Sequence, residues 1–433
     1  MPRRLPKFLF PCQLIFQLIF RLHRVDLHDM KRVVGSSHED VSAMGKKTIF
    51  TSVQEAESVR FCQELVRIKS INPPGNELPA AEFVASKLEK AGLDVELIKH
   101  STSRASVFAR LKSSRKTPSL LFNGHLDTVP VGREKWTHDP FQAEIAEGKI
   151  WGRGTADMKG GLAALMVAAK TLAEVRLPLR GDLILAATAG EETDSLGATS
   201  IAARPDLGPV QAVVIPEPSY NDIYVAEKGA LWLELTTRGK TAHGSMPDLG
   251  QNAIMMMVTL IHELQRLAIP YQEHPMLGGL TQSVNTIAGG MKTNVVPDHC
   301  VTTVDMRTVP GQDHRAIVRQ IEDLIADLSR RIPGFKASVS VINDRIPIET
   351  SPEEPVVQSF ADVVAEVTGH RPVPKGVRYY TDAVAFVPAL KAPMIICGPG
   401  DARLAHQPDE HVEVSKLIEA AKIYTLAAAR LLE

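Results

Sequence analysis

The sequence predicts an α/β fold: a mainly parallel mixed sheet with helices on both faces, carrying an inserted, smaller α+β unit of two strand-helix-strand segments. Three observations predict it. Leu183–Thr188 and Val213–Ile215 are continuous apolar runs, as expected of strands buried on both faces. Helical patterns alternate with such runs through the first half of the chain. Near Gly229 the pattern then changes, and Leu231-Trp232-Leu233-Glu234-Leu235 alternates apolar with other residues, as a half-exposed strand does.

Taken in order, Val53, Ala56, Val59, Leu65 and Val66 recur at helical spacing and predict a helix from about Ser52 to Ile68. Ser70-Ile71-Asn72-Pro73-Pro74-Gly75 interrupts it as a loop. A helix follows over about Ala80–Leu88, closing near Gly92. Leu93–Ile98, Ser106–Leu111 and Ser119–Phe122 read as strands, and Leu162–Leu172 as an Ala-rich helix. In the insert, strands at Leu231–Leu235, Ser283–Ile287, Val301–Met306 and Ala337–Ile342 alternate with helices at Asn252–Leu267 and Arg315–Ser329. After about Ile346 the chain returns to helix (Val356–Val367), strand (Met394–Cys397) and helix (Ser415–Leu432), which reads as the first domain resuming. The expected organisation is therefore an extension over residues 1–47, a first domain in two parts (48–229 and 345–433), and an insert over 230–344.

Residues 1–47 stand apart. A basic start (Arg3, Arg4, Lys7) precedes an apolar run from Phe8 to Phe20 that Pro11, Gln13 and Gln17 interrupt. The run is too short to span a bilayer and lacks a small-residue cleavage site. A targeting peptide, or a start of the working protein at Met44, are the two readings. With 433 residues, 44% hydrophobic and 23% charged, the composition is that of a soluble globular protein. A net charge of -1 offers no phosphate track and argues against nucleic acid as a partner. Cys12, Cys62, Cys300 and Cys397 are scattered without a CxxC pair, which suggests neither a disulfide framework nor a thiolate zinc site and suits a reduced, cytoplasmic setting.

Histidines and acids stand where apolar segments end. His125 and Asp127 follow Ser119–Phe122, Glu191 and Glu192 follow Leu183–Thr188, Glu217 follows Val213–Ile215, and His406 follows Met394–Cys397. Asp157 precedes the Ala-rich helix. In open parallel sheets ligands bind beyond the carboxyl ends of strands, so these residues are expected to converge. Imidazole nitrogen with carboxylate oxygen and no sulfur suits zinc, with cobalt or manganese as alternatives. A paired-metal site needs one shared carboxylate, for which Asp157 is the candidate. His125 with Glu217, and His406 with Glu192, then complete two divalent ion sites. Glu191 is left over as a general base for the attacking water. Asp127 is placed to orient the His125 imidazole.

These segments resemble the acetylornithine deacetylase, succinyl-diaminopimelate desuccinylase, aminoacylase and glutamate carboxypeptidase family. The resemblance is carried by Ser70–Gly75, Gly124-His125-Leu126-Asp127-Thr128-Val129-Pro130, Gly152–Gly161, Thr188–Glu192, Ile215-Pro216-Glu217-Pro218, Gly239–Gly244, Asn294–Asp298, Gly398–Gly400 and Ala405-His406. It implies a co-catalytic metal domain with an inserted lid or dimerisation domain, and the metal and base roles assigned above. It further implies that His243 reaches the partner subunit's site in a homodimer and stabilises the oxyanion, and that Asn294 and Arg307 bind substrate. A bidentate arginine suits a substrate α-carboxylate. One departure stands out: Arg378-Tyr379-Tyr380-Thr381-Asp382 replaces a Gly-rich loop, and its two tyrosines narrow the expected side-chain pocket.

The expected activity is deacylation of a small N-acyl amino acid of the acetylornithine or succinyl-diaminopimelate type. A metallo-carboxypeptidase or dipeptidase with the same site, acting on a short peptide, is the alternative. A catalytically inactive dimeric scaffold is a third, opposed by the presence of every ligand and of Glu191.

Overall fold

The computed structural model of the protein describes residues 50–114 and 116–433. The predicted extension 1–47 lies outside the described residues. The chain traces α1 (Ser52–Arg67), α2 (Leu78–Lys90), β1 (Asp94–Lys99), β2 (Ala105–Leu111), β3 (Ser119–His125), β4 (Glu144–Ala146), β5 (Lys149–Trp151) and α3 (Gly160–Val175). It continues through β6 (Leu183–Thr188), α4 (Leu196–Ala202), β7 (Val210–Ile215) and β8 (Tyr224–Glu227). Then follow β9 (Gly229–Arg238), α5 (Ala253–Arg266), β10 (Thr281–Gly289), β11 (His299–Thr308), α6 (His314–Arg331) and β12 (Ala337–Arg345). The last part is β13 (Ile348–Glu349), α7 (Pro355–Thr368), β14 (Lys375–Val377), α8 (Ala383–Leu390), β15 (Met394–Ile396), β16 (His411–Glu413) and α9 (Val414–Leu432).

The large sheet has the order β1-β2-β6-β3-β7-β15-β8-β13, with β14 paired to β8. Its centre, β6-β3-β7-β15, is parallel throughout, and antiparallel strands flank it on both sides. Alternation along the strands divides the core. Leu120, Phe122, Leu183, Leu185 and Val214 pack with α1, α2, α3, α7 and α9 on one face. Leu121, Ile184, Val213 and Ile396 pack with Ala198 and Ile201 of α4 and Phe386 of α8 on the other. Burial on both faces is why these strands read as unbroken apolar runs.

The insert forms its own four-stranded antiparallel sheet, β10-β11-β9-β12. One face, carrying Leu231, Leu233, Leu235, Val304 and Met306, packs on α5 and α6. Both helices are started by side chains that accept an otherwise unpaired backbone N–H, Asn252 from Met255 at 3.1 Å and Asp313 from Arg315 at 2.9 Å. The opposite face carries Trp232, Asp305 and Arg307.

The elements beyond those read from the sequence are short. β4, β5 and β16 make a three-stranded sheet of strands too brief to show a period. α4 starts after a left-handed Ser195, and α8 contains Pro388, a residue that ordinarily breaks a helix. No helix among the described residues is long and apolar enough to cross a membrane.

Candidate active site

Each of the four central parallel strands delivers a ligand-type side chain from its carboxyl end. His125 is the last residue of β3; Glu191 and Glu192 follow β6, Glu217 follows β7, and His406 lies in the loop after β15. Asp157 arrives from the turn between β5 and α3, and the Asp157–Met158 peptide within that turn is cis. Together the six residues gather at a cleft of about 380 Å³, which Asp157, Glu191, Glu192, Glu217 and His406 line with Trp232, Arg307, Tyr379 and Tyr380.

The two oxygens of Asp157 face different imidazoles. Its Oδ1 lies 3.1 Å from His125 Nε2 and its Oδ2 3.3 Å from His406 Nε2. His125 Nε2 is also 3.7 Å from Glu217 Oε1, and His406 Nε2 is 3.2 Å from Glu192 Oε2. Asp157 therefore stands between two His–Glu pairs. Ligand atoms of His125, Asp157 and Glu192 lie within 4.8 Å of one another, as do those of His125, Glu191 and Glu217. Glu191 is thus as near to His125 and Glu217 as a ligand would be. The His125 ring is oriented by Nδ1–H donating to the Asp127 carbonyl oxygen at 2.9 Å, which directs Nε2 into the site.

The carboxylate of Asp127 does something the sequence reading did not assign to it. It lies 3.7 Å from His125 Nδ1. Its Oδ1 accepts the backbone N–H of Gly190 at 3.0 Å and of Glu191 at 3.3 Å, and its Oδ2 accepts Glu192 N–H at 3.2 Å and Asn72 Nδ2 at 2.9 Å. The imidazole is held by the main chain of Asp127, and the side chain clamps the turn that presents the two glutamates.

The electrostatics are those of a site built for positive charge. Burial pushes Glu191 and Glu217 well above the usual carboxylate range, and neighbouring acids add to it. Burial also raises Asp157, but hydrogen bonds from His125 and His406 outweigh it and hold the carboxyl low. Hydrogen bonding to Asp157 and then Glu192 pushes His406 up to about 10. Glu192 Oε1 is buried without a hydrogen-bond partner. Nitrogen and oxygen donors, an orphaned carboxylate oxygen and an acidic surplus fit divalent cations, which take the place of the imidazole protons when they bind. The described cysteines, Cys62, Cys300 and Cys397, are buried and free.

Arg307 lines the cleft, its guanidinium 5.9 Å from the Tyr380 ring centre and paired with Asp305 at 2.9 Å. His243 and Asn294 do not line it. Both are exposed on the insert, where Gly244 N–H donates to the Asn294 carbonyl at 2.8 Å and His243 Nδ1 contacts Ser245 Oγ at 2.7 Å. The two tyrosines of the departing segment both line the cleft.

Sequence reasoning missed Glu410. It is fully buried, accepts Ala156 N–H at 2.9 Å and Asp157 N–H at 3.1 Å on one oxygen, and binds Arg153 Nη1 at 2.5 Å with the other. It fixes the backbone from which Asp157 projects. Its only signal was an acid shortly after His406. Buried Asp382, pushed up to about 6 by burial, accepts the Thr188 hydroxyl at 2.6 Å beneath the Glu191 turn.

Residues 121–430 match the model of peptidase family M20/M25/M40. The chain is 28% identical over 402 residues to a probable succinyl-diaminopimelate desuccinylase of Staphylococcus epidermidis, covering 86% of this chain and 97% of that one. It is 29% identical over 364 residues to an acetylornithine deacetylase of Myxococcus xanthus, covering 81% and 92%. Its fold matches an M20-family metallo-carboxypeptidase of Sulfolobus solfataricus with TM-score 0.73 at 21% identity, covering 86% of this chain and 98% of that one. It also matches a dinuclear metal-binding peptidase of Bacillus subtilis with TM-score 0.67 at 15% identity, covering 88% and 99%. The chain belongs to peptidase family M20/M25/M40 and is a hydrolase of amide bonds.

Proposed function

We propose that the protein removes the acyl group from an N-acyl amino acid, with Glu191 as general base. The observation that carries this reading is Asp157, whose two oxygens face His125–Glu217 on one side and His406–Glu192 on the other. Two divalent ions, zinc by donor type with cobalt or manganese as substitutes, would be held by these five residues and would polarise the scissile carbonyl and acidify water. Glu191, buried beside the five ligand-type residues, takes the proton of the attacking water and passes it to the leaving nitrogen. Arg307 binds the substrate α-carboxylate from the wall of the cleft.

The insert supplies the lid and the dimer contact. β10 is an edge strand with most of its length exposed, Ile287 included, and Met255 and Val258 of α5 present further exposed apolar surface. Such an edge pairs readily with a second copy. His243 and Asn294, which do not line their own cleft, then serve the partner's, where the imidazole stabilises the oxyanion. Three free, buried cysteines suit a cytoplasmic setting.

A metallo-carboxypeptidase or dipeptidase reading uses the same chemistry, and solved structures of similar fold include a metallo-carboxypeptidase and human carnosine dipeptidase 1. The test is a panel of acetyl, succinyl and formyl amino acids against short dipeptides, run on chelated protein reloaded with zinc or cobalt. Faster release from the acyl amino acids supports the proposal. Turnover of dipeptides alone gives the second reading, and chelator-insensitive activity refutes both.

A further inference from the structure

We infer that Arg104 is a positioning residue for the turn that presents Glu191 and Glu192: its guanidinium ties that turn, through Asp194, to the buried Glu77 at the start of α2. The assignment rests on the roles proposed above for Glu191 and Glu192.

Arg104 directly precedes β2, and its side chain is 14% exposed. On one side Nε donates to both Glu77 oxygens at 3.2 Å, and Nη2 to Oε1 at 3.0 Å. On the other, Nη1 donates to Asp194 Oδ2 at 3.0 Å, and Nη2 lies 3.4 Å from Oδ1. One planar fork thus spans two carboxylates, a geometry that the single ammonium of a lysine does not reproduce. Two glycines show how closely the fork is fitted. A Cβ on Gly190, at φ +90°, would lie 2.5 Å from Arg104 Nη2. One on Gly75, at φ +95°, would lie 2.7 Å from Nε.

The turn is held at three points. Thr193, Asp194 and Ser195 donate their N–H groups back to the Gly190 carbonyl at 3.2, 2.9 and 2.6 Å, which encloses Glu191 and Glu192 in the loop. The Asp127 carboxylate takes the N–H groups at its start. Asn72 Nδ2 donates to Thr193 Oγ1 at 2.9 Å. At its far end Arg104 holds the Asp194 carboxylate, while Arg345 Nη2 donates to the Asp194 carbonyl at 2.7 Å. A pair confined to Arg104 and Glu77 would serve only to bury the start of α2. Asp194 is different: its side chain is 50% exposed, so it needs no partner for burial, and it lies on the turn itself. The bond to it restrains the turn.

Asp194→Ala frees the turn and leaves the Glu77 pair intact; Arg104→Lys keeps the charge and loses the fork. Full-length, zinc-loaded wild type, both variants and the double variant are assayed on the fastest substrate of the panel above, with rates taken per bound zinc. Each single variant should lower kcat about 10- to 100-fold with KM little changed. The double variant should lose no more than the worse single one, because both cut the same link. The melting temperature of Asp194→Ala should change by no more than about 4 °C, as for an exposed ion pair. Cobalt-loaded protein adds a readout that stability alone does not move: the visible absorption of the bound ion follows the placement of Glu192 and should shift in Asp194→Ala. Wild-type kcat in Asp194→Ala, or losses that multiply in the double variant, overturns the assignment. Should Arg104→Lys fail to fold, Asp194→Ala decides alone. If no panel substrate is turned over, or Glu191→Gln stays active, the proposed function fails by itself. The cobalt spectrum of Asp194→Ala then decides the positioning role, a shift supporting it and a wild-type spectrum overturning it.

Discussion

Glu410→Gln is a near-isosteric change whose consequences follow from three hydrogen bonds. One Glu410 oxygen accepts the N–H groups of Ala156 and Asp157, and the other faces Arg153 Nη1 at 2.5 Å. All three partners are donors. A glutamine keeps one acceptor oxygen, so its NH2 must oppose either the guanidinium or the backbone pair. If it opposes the guanidinium, Arg153, itself buried, loses its carboxylate. Breaking a buried ion pair on one side costs about 3–5 kcal/mol. If it opposes the backbone pair, the Asp157 turn loses its clamp at a cost of about 1.5–3 kcal/mol per charge-assisted bond. Either way the carboxylate shared by the two His–Glu pairs is less well held. Losing a partner that orients a metal ligand typically lowers metal affinity about 10- to 100-fold. The assay is competition of a chromophoric chelator for zinc, alongside urea unfolding of the chelated protein. Glu410→Gln should weaken zinc in that range and lower stability by about 3–5 kcal/mol. Wild-type metal affinity together with wild-type stability would refute the reasoning, because it would mean that the Asp157 turn is held by other contacts.

Glu191→Gln should retain both metals by elemental analysis while kcat falls by about 10²–10⁴; loss of metal along with activity would make Glu191 a ligand, which its nearness to His125 and Glu217 permits. His243→Ala should lower kcat by about 10²–10³ with little change in melting temperature, and mixing it with Glu191→Gln should restore part of the activity through hybrid dimers; absence of complementation removes the cross-subunit role. Glu227 is buried, and burial pushes its carboxyl up to about 8. The folded state therefore binds an extra proton between the ordinary glutamate value and pH 8. Stability should fall across that window as pH rises, by at most about 1.4 kcal/mol per pH unit. Urea midpoints of the chelated protein measured from pH 5 to 8.5 should show the slope, and Glu227→Gln should flatten it.

What the sequence made legible is what burial writes into it. β3, β6, β7 and β15 are buried on both faces and appear as apolar runs, and the residues just past their ends are the ones that meet at Asp157. α5 and α6 were visible because one face is apolar and a capping side chain precedes each. What escaped depends on partners far along the chain. Glu410 looks like any loop acid until Arg153 and the Asp157 backbone are beside it. Asp127 was read as an orienter of His125, yet its main chain does that and its carboxylate binds the Glu191–Glu192 turn, a distinction that residue spacing does not carry. Trp232, as one member of an alternating strand, gave no sign that it would line a cleft.

The place of β15 in the sheet has a consequence for biosynthesis. It sits between β7 and β8, although the whole insert and α7 and α8 come before it in the chain. Until the ribosome has released residues 394–396, β7 presents an unsealed edge and the half-built sheet is a template for strand addition by other chains. His406 emerges later still, so the proposed ligand set is complete only once residue 406 has been synthesised. Chains that stop before residue 394 should therefore depend on holdase chaperones more than chains that include β15, and metal loading should follow the synthesis of residue 406.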